Sequence, residues 1–294
     1  MSIGKQVSAR AAGTVNWGGE PVNRMGFGTM RLTGEEIWGP PKDRAAAVAV
    51  LRRAVQLGVN FIDTADCYGP NVAEELIAEA LAPYPKNLVI ATKGGWKRTG
   101  PGQWLHDASP NHLREAVEGS LKRLRLERIE LYFLHAPDHA ISFDASVETL
   151  AELRAQAKIR HIGLSNVTRE HIERARKIVP VVAVQNRYNF ADREWDYVVQ
   201  YCEQNKLVFI PWGPLGSGNL SYPEVTRIAQ ARGVTPMQVA LAWLLDRAPI
   251  VLPIPGTSSV AHLEENIGAA ELELTDNELA ELSRVKKKFT RRGA

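Results

Sequence analysis

An acid, a phenol, an amine and an imidazole fall at or just beyond the ends of short apolar runs in this chain. The runs are Asn60-Phe61-Ile62-Asp63, Leu88-Val89-Ile90-Ala91-Thr92-Lys93 and Leu131-Tyr132-Phe133-Leu134-His135, and Tyr68 follows the first of them in the loop after Asp63. An apolar run that stops on an ionisable residue is the pattern of a parallel strand, buried on both faces, that delivers a functional group at its end. Together the four groups could transfer a proton. A phenol with a free pKa near 10 is a poor acid at neutral pH unless a cation stabilises its phenolate, and Lys93 could be that cation. Asp63, paired with Lys93, would keep the ammonium charged in an apolar setting where a lone charge is costly. His135 could donate a hydrogen bond to a carbonyl oxygen and make its carbon more electrophilic. Taken singly, each residue has an ordinary explanation as a turn cap, a packing group or a solvated strand end. Their shared position at strand ends is what argues for a site.

The elements that must place them alternate along the chain. Strands are expected at residues 24–29, 60–64, 88–93, 131–135, 161–165, 181–185, 207–212 and 250–254. Helical periods lie between them: Val48, Leu51 and Val55 precede a stop at Gly58, and Ser109-Pro110 caps a run carrying Leu113, Val117, Leu121 and Leu124. Thr235 with Gln238 and Thr275 with Glu278 have capping-box spacing. Eight strands alternating with helices predict a (β/α)8 TIM barrel, α/β in class. An N-terminal β-hairpin turning at Gly18-Gly19 precedes it, and no Ser/Gly-rich linker divides residues 1–294, so one barrel domain is expected. In such a barrel, functional groups project from the carboxyl ends of the strands, where these four fall.

Composition narrows the alternatives. The chain has 294 residues, 45% hydrophobic and 23% charged, with a net charge of +3. This suits a globular protein with a large core and gives no basis for nucleic-acid binding. Its densest basic run, Lys286 to Arg292, reads as a solvated helix end, with a phosphate-attracting patch as the sharper alternative. The two cysteines, Cys67 and Cys202, do not make a disulfide scaffold. No targeting leader and no membrane-spanning stretch are read, and a cytoplasmic location is expected. Cys67 precedes the phenol and is either a thiol whose modification would crowd the barrel mouth or a small buried filler. His135 and His139 are four apart, but Pro137 between them argues against a helix that would align them, so no metal site is expected.

Nearly the whole chain, from about Val22 to Ala270, resembles the aldo-keto reductase family. The resemblance is carried by Gly26-Phe27-Gly28-Thr29, Phe61-Ile62-Asp63-Thr64-Ala65 with Tyr68-Gly69, Ala91-Thr92-Lys93, Leu134-His135, Gly163-Leu164-Ser165-Asn166, Gln185-Asn186-Arg187-Tyr188-Asn189, Pro214-Leu215-Gly216 and Ile254-Pro255-Gly256-Thr257 with Glu265-Asn266. It implies a nicotinamide-dependent carbonyl reductase in which Tyr68 is the general acid, Asp63 and Lys93 tune it, and His135 orients the carbonyl. The compact loops are similar to those of bacterial pyridoxal reductase-type members.

The cofactor surface follows from the same resemblance, since no G-x-G-x-x-G fingerprint supports a Rossmann site. It implies that Ser165, Asn166 and Gln185 bind the nicotinamide carboxamide and that Trp212 stacks on its ring, where the family usually has tyrosine. Gly28, Thr29, Met30 and Asp63 would border it, and Pro214, Leu215, Gly216 and Ser217 would approach the pyrophosphate. Ser258, Ser259, His262, Glu265 and Asn266 would hold the adenosine end, and Ile254, Gly256 and Thr257 would also touch the cofactor. Better-known members carry Lys in place of Gly256 and Arg in place of His262. NADPH is still the expected cofactor, with NADH as the alternative. A small carbonyl compound is the expected partner, and Trp38, Trp96 and Trp104 either line an apolar pocket for it or pack loops on the rim. Two other classes compete: a nucleotide-sensing subunit on the same fold with slow or no turnover, and a metal-dependent barrel hydrolase.

Overall fold

The computed structural model describes residues 6–18, 21–216, 218 and 220–285. Gly19, Ser217 and the basic run beginning at Lys286 lie outside them. Its strands are β1 (Thr14–Val15), β2 (Val22–Asn23), β3 (Phe27–Gly28), β4 (Phe61–Asp63), β5 (Val89–Gly94), β6 (Trp96–Gly100), β7 (Gln103–His106), β8 (Ile129–Leu134), β9 (Ile159–Ser165), β10 (Val181–Gln185) and β11 (Val208–Phe209). Helices α1 (Arg44–Gln56), α2 (Val72–Leu81), α3 (Pro110–Leu124), α4 (Phe143–Ala155), α5 (Arg169–Ile178) and α6 (Asp196–Gln204) follow successive strands. After β11 come α7 (Pro223–Arg232), α8 (Pro236–Arg247), α9 (Val260–Gly268) and α10 (Asp276–Arg284).

Seven strands pair in parallel in the order β3, β4, β5, β8, β9, β10, β11. Residues 250–254 close the ring without forming a regular strand. Phe209 N donates to Ile250 O and Leu252 N to Phe209 O, both at 2.9 Å, while Gly26 N donates to Pro253 O at 3.0 Å. The ladder breaks there because Pro253 has no N–H to contribute. Closure also needs glycine: a Cβ on Gly28 would lie 2.8 Å from the Ile254 carbonyl oxygen. The fold is the (β/α)8 barrel that the alternation predicts.

Side-chain parity sorts the strands into two layers. Phe61, Val89, Ala91, Leu131, Phe133, Ala183, Val208, Ile210 and Leu252 belong to the barrel interior. Their neighbours Ile62, Ile90, Tyr132, Leu134, Val184, Phe209 and Val251 pack outward with the helices. Because strand side chains alternate with period two, Asp63, Lys93, His135, Gln185 and Trp212 continue the inward series of their strands. The β1–β2 hairpin closes the opposite end, with Trp17 edge-on to Phe61 at 5.7 Å. The site can therefore open only at the carboxyl ends.

The expected helix signals are realised. Thr235 and Gln238 exchange capping bonds at 3.2 and 3.0 Å, Thr275 and Glu278 at 3.3 and 2.8 Å, and the Ser109 side chain accepts from His112 N at 3.3 Å. Gly58 stops α1 with φ of 86°, a backbone state that glycine adopts without steric cost. One element was not expected. The segment carrying Trp96 and Trp104 is an antiparallel hairpin, β6–β7, pairing Trp96 with His106 and Arg98 with Trp104. Most of its side chains face solvent, so it carries no apolar alternation to betray it. Among the described residues no helix is long and apolar enough to cross a membrane.

Candidate active site

Four strand ends and one loop bring the predicted residues together. Lys93, wholly buried, donates from Nζ to Asp63 Oδ2 at 2.7 Å, to the Thr64 carbonyl at 2.7 Å and to Tyr68 Oη at 3.5 Å. The second Asp63 oxygen accepts from Gln185 Nε2 at 2.8 Å. An ammonium has three hydrogens and no lone pair, so these contacts use all its donors. Tyr68 Oη therefore accepts from Lys93, and the phenolic hydrogen is left for an acceptor in the cavity. The arrangement leaves the Tyr68 hydroxyl hydrogen free to be donated.

Electrostatics hold it in that state. Burial raises the Tyr68 phenol well above its ordinary value of 10, and Asp63, then Cys67 and Asp66, add to the rise. Burial and the Asp63 carboxylate keep the resting phenol protonated. Lys93 Nζ, 3.5 Å from Oη, is the cation within reach of a phenolate, as the sequence pattern suggests. His135 is neutral at pH 7: burial lowers the imidazole well below 6.5, and Lys93 and His106 push in the same direction. A neutral imidazole keeps one donor for a carbonyl oxygen. Its ring lies edge-on to Tyr68, with centroids 6.0 Å apart.

These groups open into a cavity of about 1060 Å³. One wall carries the Trp212 indole. Trp212 Nε1 donates to Asn166 Oδ1 at 3.0 Å, and Asn166 Nδ2 donates to His135 O at 2.9 Å and Ser165 Oγ at 3.1 Å. Asn166 thereby spends both amide hydrogens within the protein and holds the Trp212 indole in place. Ser165 and Gln185, both buried, line the cavity beside it. The far end has the polarity for phosphate. Thr257, Ser258 and His262 line it at the start of α9, whose first N–H groups have no partner within the helix.

Gly28, Met30, Pro214, Leu215, Gly216, Ile254 and Gly256 also line the cavity. Thr29 does not: its hydroxyl, fully buried, donates to Asp63 O at 3.1 Å. Glu265 and Asn266 are likewise absent from the lining, and the Glu265 carboxylate accepts from Thr235 Oγ1 at 2.7 Å. Trp96 and Trp104 line the cavity, whereas Trp38 bridges to Gly69 and stands 5.6 Å from the Arg98 guanidinium. Arg98 fastens the β6–β7 hairpin over the site. It stacks 3.8 Å from Trp104 and donates to Ile37 O at 2.9 Å and Cys67 O at 3.3 Å. Sequence reasoning missed Arg31, which lines the cavity with its Cγ 3.8 Å from where a Gly256 Cβ would lie. Its place just past β3 was the available signal. It supplies a cation near the position where the family's usual lysine is absent.

Fold and site together define a (β/α)8 barrel with a buried Asp63, Tyr68, Lys93 and His135 cluster at the edge of one large cavity. The sequence model of the Aldo/keto reductase family matches residues 24–287. The chain is 47% identical over 278 residues to an uncharacterized oxidoreductase of Schizosaccharomyces pombe, covering 94% of this chain and 90% of the relative. It is 44% identical over 280 residues to pyridoxine 4-dehydrogenase of Escherichia coli, covering 92% and 98% respectively. Among solved structures it resembles an aldo/keto reductase of Klebsiella pneumoniae in complex with NADP and acetate, with a TM-score of 0.78, 27% identity and coverage of 93% and 94%. The chain belongs to the aldo/keto reductase family and is an NAD(P)H-dependent oxidoreductase.

Proposed function

We propose that this chain reduces aldehydes, and ketones that fit the same pocket, to alcohols, with NADPH preferred over NADH. The observation that carries the reading is the saturation of Lys93, which leaves the Tyr68 hydrogen as the unspent donor facing the cavity. A bound nicotinamide would supply the hydride. Ser165, Gln185 and the Trp212 face would hold its ring, while Arg31, His262, Ser258 and the α9 N-terminus would receive phosphate. Tyr68 and His135 both donate to the carbonyl oxygen, polarising it as hydride reaches carbon. Tyr68 then gives up its proton, and the charge left on Oη lies 3.5 Å from the Lys93 ammonium.

Pyridoxal is the first substrate to test, because the identity to pyridoxine 4-dehydrogenase extends over nearly the full length of both chains. Trp96 and Trp104 offer aromatic surface to a substrate ring. The experiment is a panel of aldehydes, pyridoxal included, scored by loss of reduced-nicotinamide absorbance with NADPH and with NADH. Turnover of at least one small aldehyde, faster with NADPH, is expected. Tight NADPH binding without turnover on any member would instead identify a nucleotide-sensing protein.

A further inference from the structure

We propose that Cys67 is a positioning residue: its thiol donates to His135 Nδ1 and so fixes the imidazole with its hydrogen on Nε2, the nitrogen left for the substrate oxygen. The inference rests on the proposed carbonyl chemistry for its purpose, and on geometry for its substance. Cys67 Sγ lies 3.6 Å from His135 Nδ1, with both side chains buried. A neutral imidazole has one N–H and one bare nitrogen, and its partners decide which is which. Lys93 has no hydrogen left for His135. The backbone groups of His135 are also engaged, its N–H with Gly94 O and its carbonyl with Asn166. The thiol is therefore the polar side chain placed to choose the tautomer.

Two directions are open to that contact, and they are unequal. If Nδ1 carried the hydrogen, it would face sulfur, a weak acceptor, and Nε2 would present a lone pair to the carbonyl oxygen. Two lone pairs would then oppose each other, and Tyr68 would be the sole donor from this pair. If the thiol donates instead, its hydrogen meets imidazole nitrogen, a far better acceptor, and Nε2–H joins Tyr68 at the carbonyl. The thiol is also in the right state to donate. Burial, followed by the neighbouring Asp66, pushes it well above its ordinary 9, so it stays protonated. The same burial makes it a poor target for thiol reagents, which favours the filler reading of its accessibility while giving its hydrogen a task.

The test reads the tautomer directly. In protein labelled with 15N-histidine, long-range proton–nitrogen spectra of the free enzyme distinguish a bare Nδ1 from a protonated one. His135 in the wild type should show a bare Nδ1 and a protonated Nε2. Cys67→Ala should yield a mixture of tautomers, with kcat for an aldehyde lowered about 10- to 100-fold, as when other orienting partners of a histidine are lost. KM and NADPH affinity should change little. Cys67→Ser, which restores a hydroxyl donor, should recover the wild-type tautomer and part of kcat. A protonated Nδ1 in the wild type, or an unchanged tautomer in Cys67→Ala, overturns the proposal. Because the spectra need no turnover, an enzyme inactive on every aldehyde would count against the proposed function and leave this result legible.

Discussion

Replacing Lys93 by Met separates two roles that the structure assigns to one ammonium. The substitution keeps the volume of the side chain but leaves Asp63 Oδ2 and the Thr64 carbonyl without their donors in a buried site. Breaking a buried ion pair by removing one partner costs about 3–5 kcal/mol. An unfolding entropy of about 2.1 cal/mol/K per residue, taken over this chain, converts each kcal/mol to roughly 1.6 °C. The melting temperature should therefore fall by about 5–8 °C. Catalysis suffers separately. A phenolate 3.5 Å from the ammonium gains about 4–5 kcal/mol at an effective dielectric constant near 20. Asp63 on the other side of Lys93 cancels part of that, so about three orders of magnitude in kcat is a ceiling on the loss. Thermal melts and single-turnover reduction of an aldehyde by NADPH measure the two effects. The double variant Lys93→Met/Asp63→Asn should regain most of the stability and none of the rate. A single variant that melts like the wild type, or a double variant that recovers kcat, refutes the reasoning.

Tyr68→Phe should lower kcat by about 10²- to 10⁴-fold while NADPH affinity, measured by fluorescence titration, stays within about twofold, because only the proton donor is lost. Asp66 gives a prediction for stability. Burial, then Glu74, pushes its carboxyl up to about 8 from 3.8, so the folded state keeps a proton that the unfolded chain releases as pH rises. Stability drawn from that proton is present below pH 3.8 and lost progressively up to about pH 8. Asp66→Asn, which carries no such proton, should gain in melting temperature relative to the wild type as pH goes from 4 to 8; parallel pH profiles for the two proteins rule this out. His262→Ala should raise KM for NADPH more than for NADH, and an equal rise for both would mean that the residue supports its loop without reading the 2'-phosphate.

The barrel and its four central residues were legible in sequence because both depend on local pattern. An apolar strand alternates inward and outward with period two, so Lys93 must follow Val89 and Ala91 inward, and His135 must follow Leu131 and Phe133. Caps at Ser109, Thr235 and Thr275 are likewise matters of a few adjacent residues. The β6–β7 hairpin was not legible, because its exposed faces carry no alternation and its hold on the barrel is the long reach of Arg98 to Ile37 and Cys67. Nor could strand-end reasoning place Trp38, Thr29, Glu265 and Asn266 outside the cavity lining, since Trp38 and Thr29 lie off regular strands and Glu265 and Asn266 lie inside α9, whose facing is set by how that helix packs.

What the sequence by itself determined is which groups reach the open end of the barrel: acid, phenol, amine and imidazole, each set by its own strand or the loop that follows it. What only the tertiary structure decided is how they engage one another. Closure of the ring carries Gln185 to Asp63 across 122 residues and lets Lys93 spend all three hydrogens. It also sets Cys67 against His135, 68 residues away. Hydrogen-bond direction depends on which donors are already committed, and that is a property of the assembled site, where burial removes water as an alternative partner.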